Sequence, residues 1–300
     1  MSTSPPDASG PGAPGERVAK VIARAGLCSR RDAERLIAAG RVAVNGRTLD
    51  SPAVTVRPGD RISVDGEALP AAAPTRLWRY HKPRGQVTTA RDPQGRPTVF
   101  EALPAELPRV MPVGRLDINS EGLLLLTNDG ALKRRLELPE TGWVRRYRVR
   151  VHGTPNPEAV AALAQGLTVA GVAYGPIRAV VERRTGRNAW LSVALSEGRN
   201  REVRRVMEHL GLTVNRLIRV SYGPFQLGRL PPGGVAEVPR KILREQLGPA
   251  GTDSPAADSS DIDSPGRAAR RPGGWAKARP RKNRPRNAKA KGRADRRRPS

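Results

Sequence analysis

The 300-residue sequence holds one cysteine, Cys28. It cannot close an internal disulfide, and such usage fits a reducing compartment. Its three histidines, His81, His152 and His209, have no paired spacing, so a zinc site built by the protein is not expected. No P-loop is present, so no nucleotide cofactor is indicated. No apolar run approaches ~20 residues, which argues against a transmembrane helix. The first residues, "MSTSPPDASGPGAPGE", lack the charged and apolar regions of a signal peptide. These absences predict a cytoplasmic protein without membrane, metal or cofactor. Acidic residues are also in deficit: 28 Asp and Glu face 54 Lys and Arg, a net charge of +26. That balance calls for a polyanionic partner, nucleic acid ahead of an anionic membrane surface.

The fold class predicted is α+β, in two modules between disordered ends. Residues 1–15 are rich in Pro, Gly and Ser and are expected to be disordered. Residues 16–75 read as a small α/β module. "ERVAKVIARAG" puts Val18, Val21 and Ile22 on one helical face and stops at Gly26. "SRRDAERLIAAG" starts at Ser29 with Asp32 three residues on, a capping pattern. "RVAVNGRTL" is a strand entering an Asn45-Gly46 turn, and two short strands surround Pro58-Gly59-Asp60.

Residues 76–246 form the larger module. Strands are expected at 77–81, 123–127, 144–152, 189–195 and 235–238, and helices at 129–136, 156–165 and 200–210. They do not alternate strictly, so a mixed, mainly antiparallel sheet flanked by helices is expected. From 247 to 300 the chain reads as a disordered tail. Its last 34 residues carry fifteen Lys or Arg against one acid, Asp295, more than half of the net charge. The tail is either a solubilising segment or an electrostatic arm for RNA, and its composition favours the arm.

Seven cations crowd the first module: Arg17, Lys20, Arg24, Arg30, Arg31, Arg35 and Arg41. One charged helix face is ordinarily just solvated. Seven in so small a unit, beside the helix N-terminus that Ser29 opens, suit RNA phosphates. Cys28, between two apolar helices, reads as a small core residue. "RVAKVIARAGLCSRRDAERLIAAGRVAVNGR" resembles the S4 RNA-binding domain over nearly its full length.

In "VGRLDINSEGLLLLTNDG" a turn carrying Asp117 precedes an apolar strand, and Asn128 or Asp129 caps the next helix. Alone, Asp117 reads as a turn residue bonded to backbone amides. Glu121, four residues on, invites a two-carboxylate hydrolase reading, but a loop does not fix the distance between the two. Around it lie "HKPRGQVTT" with Lys82, Pro83 and Gly85, "RRYRVRVHG" with Tyr147, "EGRNREVRRV" and "RLIRVSYGPF". Together, in this order, these segments resemble the RsuA/RluB family of ribosomal RNA pseudouridine synthases.

The resemblance implies isomerisation of uridine to pseudouridine on a flipped-out base, with Asp117 as nucleophile. Tyr147 would stack on the uracil, Leu217 would line its pocket, and Arg115 would enter the RNA that the base leaves. Arg199 fits the family's ion-pairing arginine for Asp117, with Arg204 as second choice. Against that, Val203, Val206, Met207 and Leu210 form an apolar stripe that leaves Arg204 and Arg205 on the other side of their helix. Simple core packing competes for Leu217, and an edge-strand aromatic role for Tyr147. The later segments look more like members acting on large-subunit 23S rRNA than on small-subunit 16S rRNA. The expected partner is ribosomal RNA, free or in a pre-ribosomal particle, bound by a monomer. The reading from another class is a non-catalytic ribosome-assembly factor, which needs none of Asp117, Tyr147 and Arg199.

Overall fold

The computed structural model of the chain describes residues 15–248. Strand β1 (Glu16–Arg17) leads directly into helix α1 (Val18–Arg24), and helix α2 (Arg30–Ala38) follows. Helix α1 buries Val18, Ala19 and Ile22, and Gly26 ends it with φ +86°. At the start of α2 the Ser29 hydroxyl accepts from the Asp32 amide (3.1 Å) and donates to the Asp32 carboxylate (2.7 Å). Strands β2 (Val42–Val44) and β3 (Arg47–Thr48) form the hairpin through Asn45 and Gly46. Strands β4 (Thr55–Val56) and β5 (Ile62–Val64) flank the next turn but do not pair with each other: β4 joins β1, and β5 lies between β2 and β6 (Glu67–Ala68). Val18, Ile22, Ala33, Ile37, Val42 and Val64 make the core of this module, with Cys28 half-buried against it.

The larger module runs β7 (Leu77–Lys82), β8 (Met111–Val113), β9 (Glu121–Thr127), α3 (Gly130–Glu137), β10 (Arg145–His152), α4 (Pro157–Ala162), β11 (Leu167–Val169), β12 (Val172–Tyr174), β13 (Arg178–Thr185), β14 (Asn188–Leu195), α5 (Glu202–His209), β15 (Thr213–Tyr222), β16 (Phe225–Gln226), β17 (Val235–Glu237) and α6 (Arg240–Leu247). One sheet takes nine of these strands in the order β13-β14-β10-β15-β9-β7-β17, with β16 beside β15 and β8 beside β9. Its pairs are antiparallel except β15 with β9, so the sheet is mixed and mainly antiparallel, as the sequence implied.

Alternate residues of the central strands feed two apolar clusters on opposite faces. Trp78, Tyr80, Leu124, Leu126, Tyr147, Val149, Leu191 and Leu217 belong to one cluster. Leu77, Leu123, Leu125, Leu132, Leu136, Tyr222 and Leu243 belong to the other. Both faces of β9 are covered, which is why its four leucines run consecutively. Asp129 caps α3 by accepting from the Ala131 and Leu132 amides, and its second oxygen accepts from Thr75 at 2.6 Å.

Two boundaries shift from the sequence reading. Leu247, expected at the start of the tail, is the buried last residue of α6. The helix expected at 156–165 ends its α-helical part at Ala162 and finishes as a 3₁₀ turn. The segments expected to be disordered otherwise lie outside the described residues, except Gly15 and Gly248.

Candidate active site

The loop from Gly114 to Ser120 joins β8 to β9 and is fastened along its backbone. The Gly114 amide donates to the Glu137 carboxylate at 2.6 Å. Thr88 Oγ1 donates to the Leu116 carbonyl at 2.8 Å, and the Gly85 amide to the Ile118 carbonyl, also at 2.8 Å. The Ser120 amide donates to the Asp117 carbonyl at 3.0 Å, closing a turn. Beneath it, fully buried Lys82 donates from Nζ to three carbonyls: Pro83 (3.1 Å), Asp117 (3.1 Å) and Ser120 (2.8 Å). The Asp117 backbone is thus fixed while its carboxylate stays one-third exposed.

Burial pushes the Lys82 ammonium down to about 8, partly opposed by the negative charges of Asp117 and Glu121. Below that pH Lys82 is charged and has three donors, one for each carbonyl. Above it the neutral amine has two, and one loop bond is lost. The expected result is a kcat that falls as pH rises through about 8. Single-turnover rates across that range check it, and a profile flat well above that pH would show that the clamp does not need the third donor.

An open cleft of about 770 Å³ lies over this loop. Asp117, Arg115, Tyr147, Leu217 and Arg199 all line it, so the five residues singled out in the sequence share one cavity. Tyr147 on β10 stands directly opposite Arg219 on β15, and Val149 opposite Leu217. Tyr147 and Leu217 present apolar surface at the wall and are otherwise buried in the core. Arg115 is exposed at the mouth.

The expected pairing of Arg199 with Asp117 is not what the structure contains. Arg199 Nε binds Glu197 at 2.8 Å, and its guanidinium lies over the Tyr174 ring. The ion pair to Asp117 comes from Arg201, at 3.8 Å. Arg201 stands just ahead of α5 in the left-handed conformation (φ +52°), uncommon for a residue with a side chain. Arg204 is buried, contrary to a place on the solvent side of the helix. Its Nη2 donates to the Asn119 carbonyl at 3.0 Å, inside the Asp117 turn. Burial and the charge of Arg201 lower the pKa of Arg204, while Asp117 favours its charge. Three arginines within six residues leave the choice among them to a turn that periodicity does not register.

Three further features of the site escaped the sequence reading. Glu202 accepts from the Gly198 (2.9 Å) and Arg199 (2.7 Å) amides, and burial raises its pKa. Arg219 is buried, lines the cleft and bonds the Leu123 carbonyl at 2.7 Å, and its Nη2 has no partner among the described residues. Glu121 is held by Arg216 through two bonds of 2.8 and 2.9 Å, so the second carboxylate of the hydrolase reading is already occupied.

In the first module, Arg17, Arg30 and Arg31 are exposed and form no ion pair among the described residues. The other cations have acidic partners: Lys20 and Arg24 share Glu16, Arg35 binds Asp32, and Arg41 binds Asp65 through two bonds of 2.6 Å. Their net contribution to a positive surface is smaller than the count of seven suggested.

Comparison with known proteins agrees with this architecture. The family model for RNA pseudouridylate synthase matches residues 76–209, and that for the S4 domain matches residues 16–62. An uncharacterized RNA pseudouridine synthase of Rickettsia prowazekii is 46% identical over 231 residues, covering 77% of this chain and 97% of that protein. The ribosomal large subunit pseudouridine synthase B of Haemophilus influenzae is 41% identical over 255 residues, covering 81% and 71%. Among solved structures, a pseudouridylate synthase crystal structure superposes with a TM-score of 0.55 at 26% identity, covering 75% of this chain and 97% of that one. With that identity sustained across both modules, and with an S4 domain preceding the catalytic sheet, the chain belongs to the RNA pseudouridine synthase family.

Proposed function

We propose that this enzyme converts a specific uridine of large-subunit 23S rRNA to pseudouridine, with Asp117 as the nucleophile. The observation that carries the reading is the clamped loop: Lys82 fixes the Asp117 backbone while the carboxylate faces the same cleft as Tyr147 and Leu217. A pure RNA binder has no use for a carboxylate held in this way. The relatives from Haemophilus influenzae and Salmonella typhi, both named for the large ribosomal subunit, support the choice of RNA.

The target base must leave its stack, at a cost of a few kcal/mol. Stacking on Tyr147 returns roughly 1–3 kcal/mol, Leu217 covers the base edge, and Arg115 fills the vacated place in the RNA. Asp117 adds to the base or to the ribose. The ester-like adduct lets the N1 bond break, and the carboxylate leaves again as the bond to C5 forms. C5 gives up its proton and N1 gains one, so the product is an isomer and no redox partner is required. Arg201 and Arg204 balance the Asp117 charge, the role first assigned to Arg199. Exposed Arg17, Arg30 and Arg31 bind phosphates as part of the S4 surface, with Lys20, Arg35 and Arg41 exchanging their acidic partners for RNA. The enzyme acts as a cytoplasmic monomer, without metal or cofactor, on free or pre-ribosomal rRNA.

Pseudouridine mapping of rRNA from a deletion strain tests this reading. One large-subunit site should disappear and return with the wild-type gene but not with Asp117→Asn. An unchanged map in the deletion strain would contradict it.

A further inference from the structure

The sheet is covered on both faces around β7, β9 and the end of β15. At the β13-β14-β10 end, the face turned away from the cleft is open. Strand β10 alternates strictly, with Arg145, Tyr147, Val149 and Val151 buried and Arg146, Arg148, Arg150 and His152 exposed. The register builds rows across this open face. Arg183, Trp190, Arg150 and Arg216 stand side by side on four strands. Val180, Ser192 and Arg148 form the next row, and Arg178, Ala194 and Arg146 the one after.

Two features separate this surface from an ordinary solvated face. Its cations outnumber the acids bound to them. Glu182 binds Arg148 at 3.1 Å and Glu121 binds Arg216, while Arg146, Arg150, Arg178 and Arg183 have no ion-pair partner among the described residues. Arg150 is placed directly opposite Arg216, whose charge Glu121 already meets, so Arg150 is left as a free cation of that row among the described residues. Apolar groups are also set among the cations. Val180 is 57% exposed, and half-buried Trp190 carries the Arg148 guanidinium 4.9 Å from its ring. Arg146, Arg178, Val180, Ser192 and Ala194 line a shallow hollow of about 360 Å³.

We propose that this outer face is a second RNA-binding surface, which takes an unpaired segment of the substrate RNA outside the target nucleotide. Phosphates meet the arginine rows, and bases stack on Trp190 or enter the hollow. A sheet face with a half-exposed indole suits unstacked bases, whereas a duplex hides its base faces. Because side chains alternate along β10, an RNA bound here lies on the opposite side of the sheet from Asp117. The surface therefore adds affinity without touching the chemistry.

The test uses the full chain carrying Arg150→Glu with Arg183→Glu and, separately, Trp190→Ala. The first readout is binding of a labelled oligouridylate of roughly a dozen nucleotides across salt concentrations. The charge reversal should weaken binding and lower the salt slope by about 1.4, at about 0.7 for each of two phosphate contacts on a single strand. Trp190→Ala should weaken binding about tenfold, and ultraviolet cross-links to the Trp190 peptide should be lost. The second readout is pseudouridine formation at saturating rRNA, which should equal that of the unsubstituted chain. Unchanged affinity and slope would overturn the proposal. So would loss of saturated turnover in a folded variant, since the face would then belong to the catalytic unit. Failure of the large-subunit assignment would change the rRNA used but not the oligouridylate result.

Discussion

Asp117→Asn should lower kcat by at least about a thousandfold, a loss of about 4 kcal/mol of transition-state stabilisation. The amide has the shape of the carboxylate but cannot form the ester-like adduct. The loop should be unaffected, because Lys82 and Thr88 hold backbone atoms and not the Asp117 side chain. RNA affinity should stay the same or rise, since one negative charge leaves a cleft that must accept a polyanion. Single-turnover kinetics paired with equilibrium binding separates the two effects. A parallel fall in affinity and rate would indicate a damaged cleft and not a missing nucleophile.

Gly122→Ala should be the most damaging single-methyl change in the larger module. Gly122 has φ +102°, and a Cβ there would lie 2.3 Å from the Arg219 carbonyl oxygen and 2.7 Å from the Arg219 nitrogen. Both are backbone atoms of β15, so no side chain can move aside. The parallel junction of β9 with β15 is also short, pairing only Glu121 with Ile218 and Gly122 with Arg219. Forcing it apart should cost about 3–5 kcal/mol in strain and overpacking, or about 10 °C in the melting transition of a module this size. Turnover should fall as well, because β15 brings Leu217 and Arg219 to the cleft and β9 follows the Asp117 turn. Thermal melts check the first effect, and a variant that melts with the wild type would show that the junction gives way freely.

Much of this arrangement was legible in the residues. The alternation in "RRYRVRVH" marks β10, and the leucine run marks β9 as a buried strand. The Asp117 turn was visible from its glycines and from the apolar strand behind it. Strand β15 was not expected, although it is central. Asn215, Arg216 and Arg219 interrupt its apolar pattern, and its pairing with β10 shifts register twice. Strand β13 was hidden by four charged residues, which an edge strand with one open face tolerates. The cation facing Asp117 was illegible for another reason. Whether Arg199, Arg201 or Arg204 reaches it depends on a left-handed residue at the helix start and on a carbonyl at Asn119. Both are tertiary facts. Lys82 is legible as part of a motif, but its three carbonyl partners lie 1 to 38 residues away.

Tritium release tests the central claim most directly. Large-subunit rRNA transcribed with uridine tritiated at C5 loses that label only when the base is rejoined through C5. The wild-type enzyme should release one uridine's worth of tritium per large-subunit transcript and none from small-subunit rRNA, and Asp117→Asn should release none from either. Release by Asp117→Asn at the wild-type rate, or no release by the wild-type enzyme from large-subunit rRNA, would contradict the account.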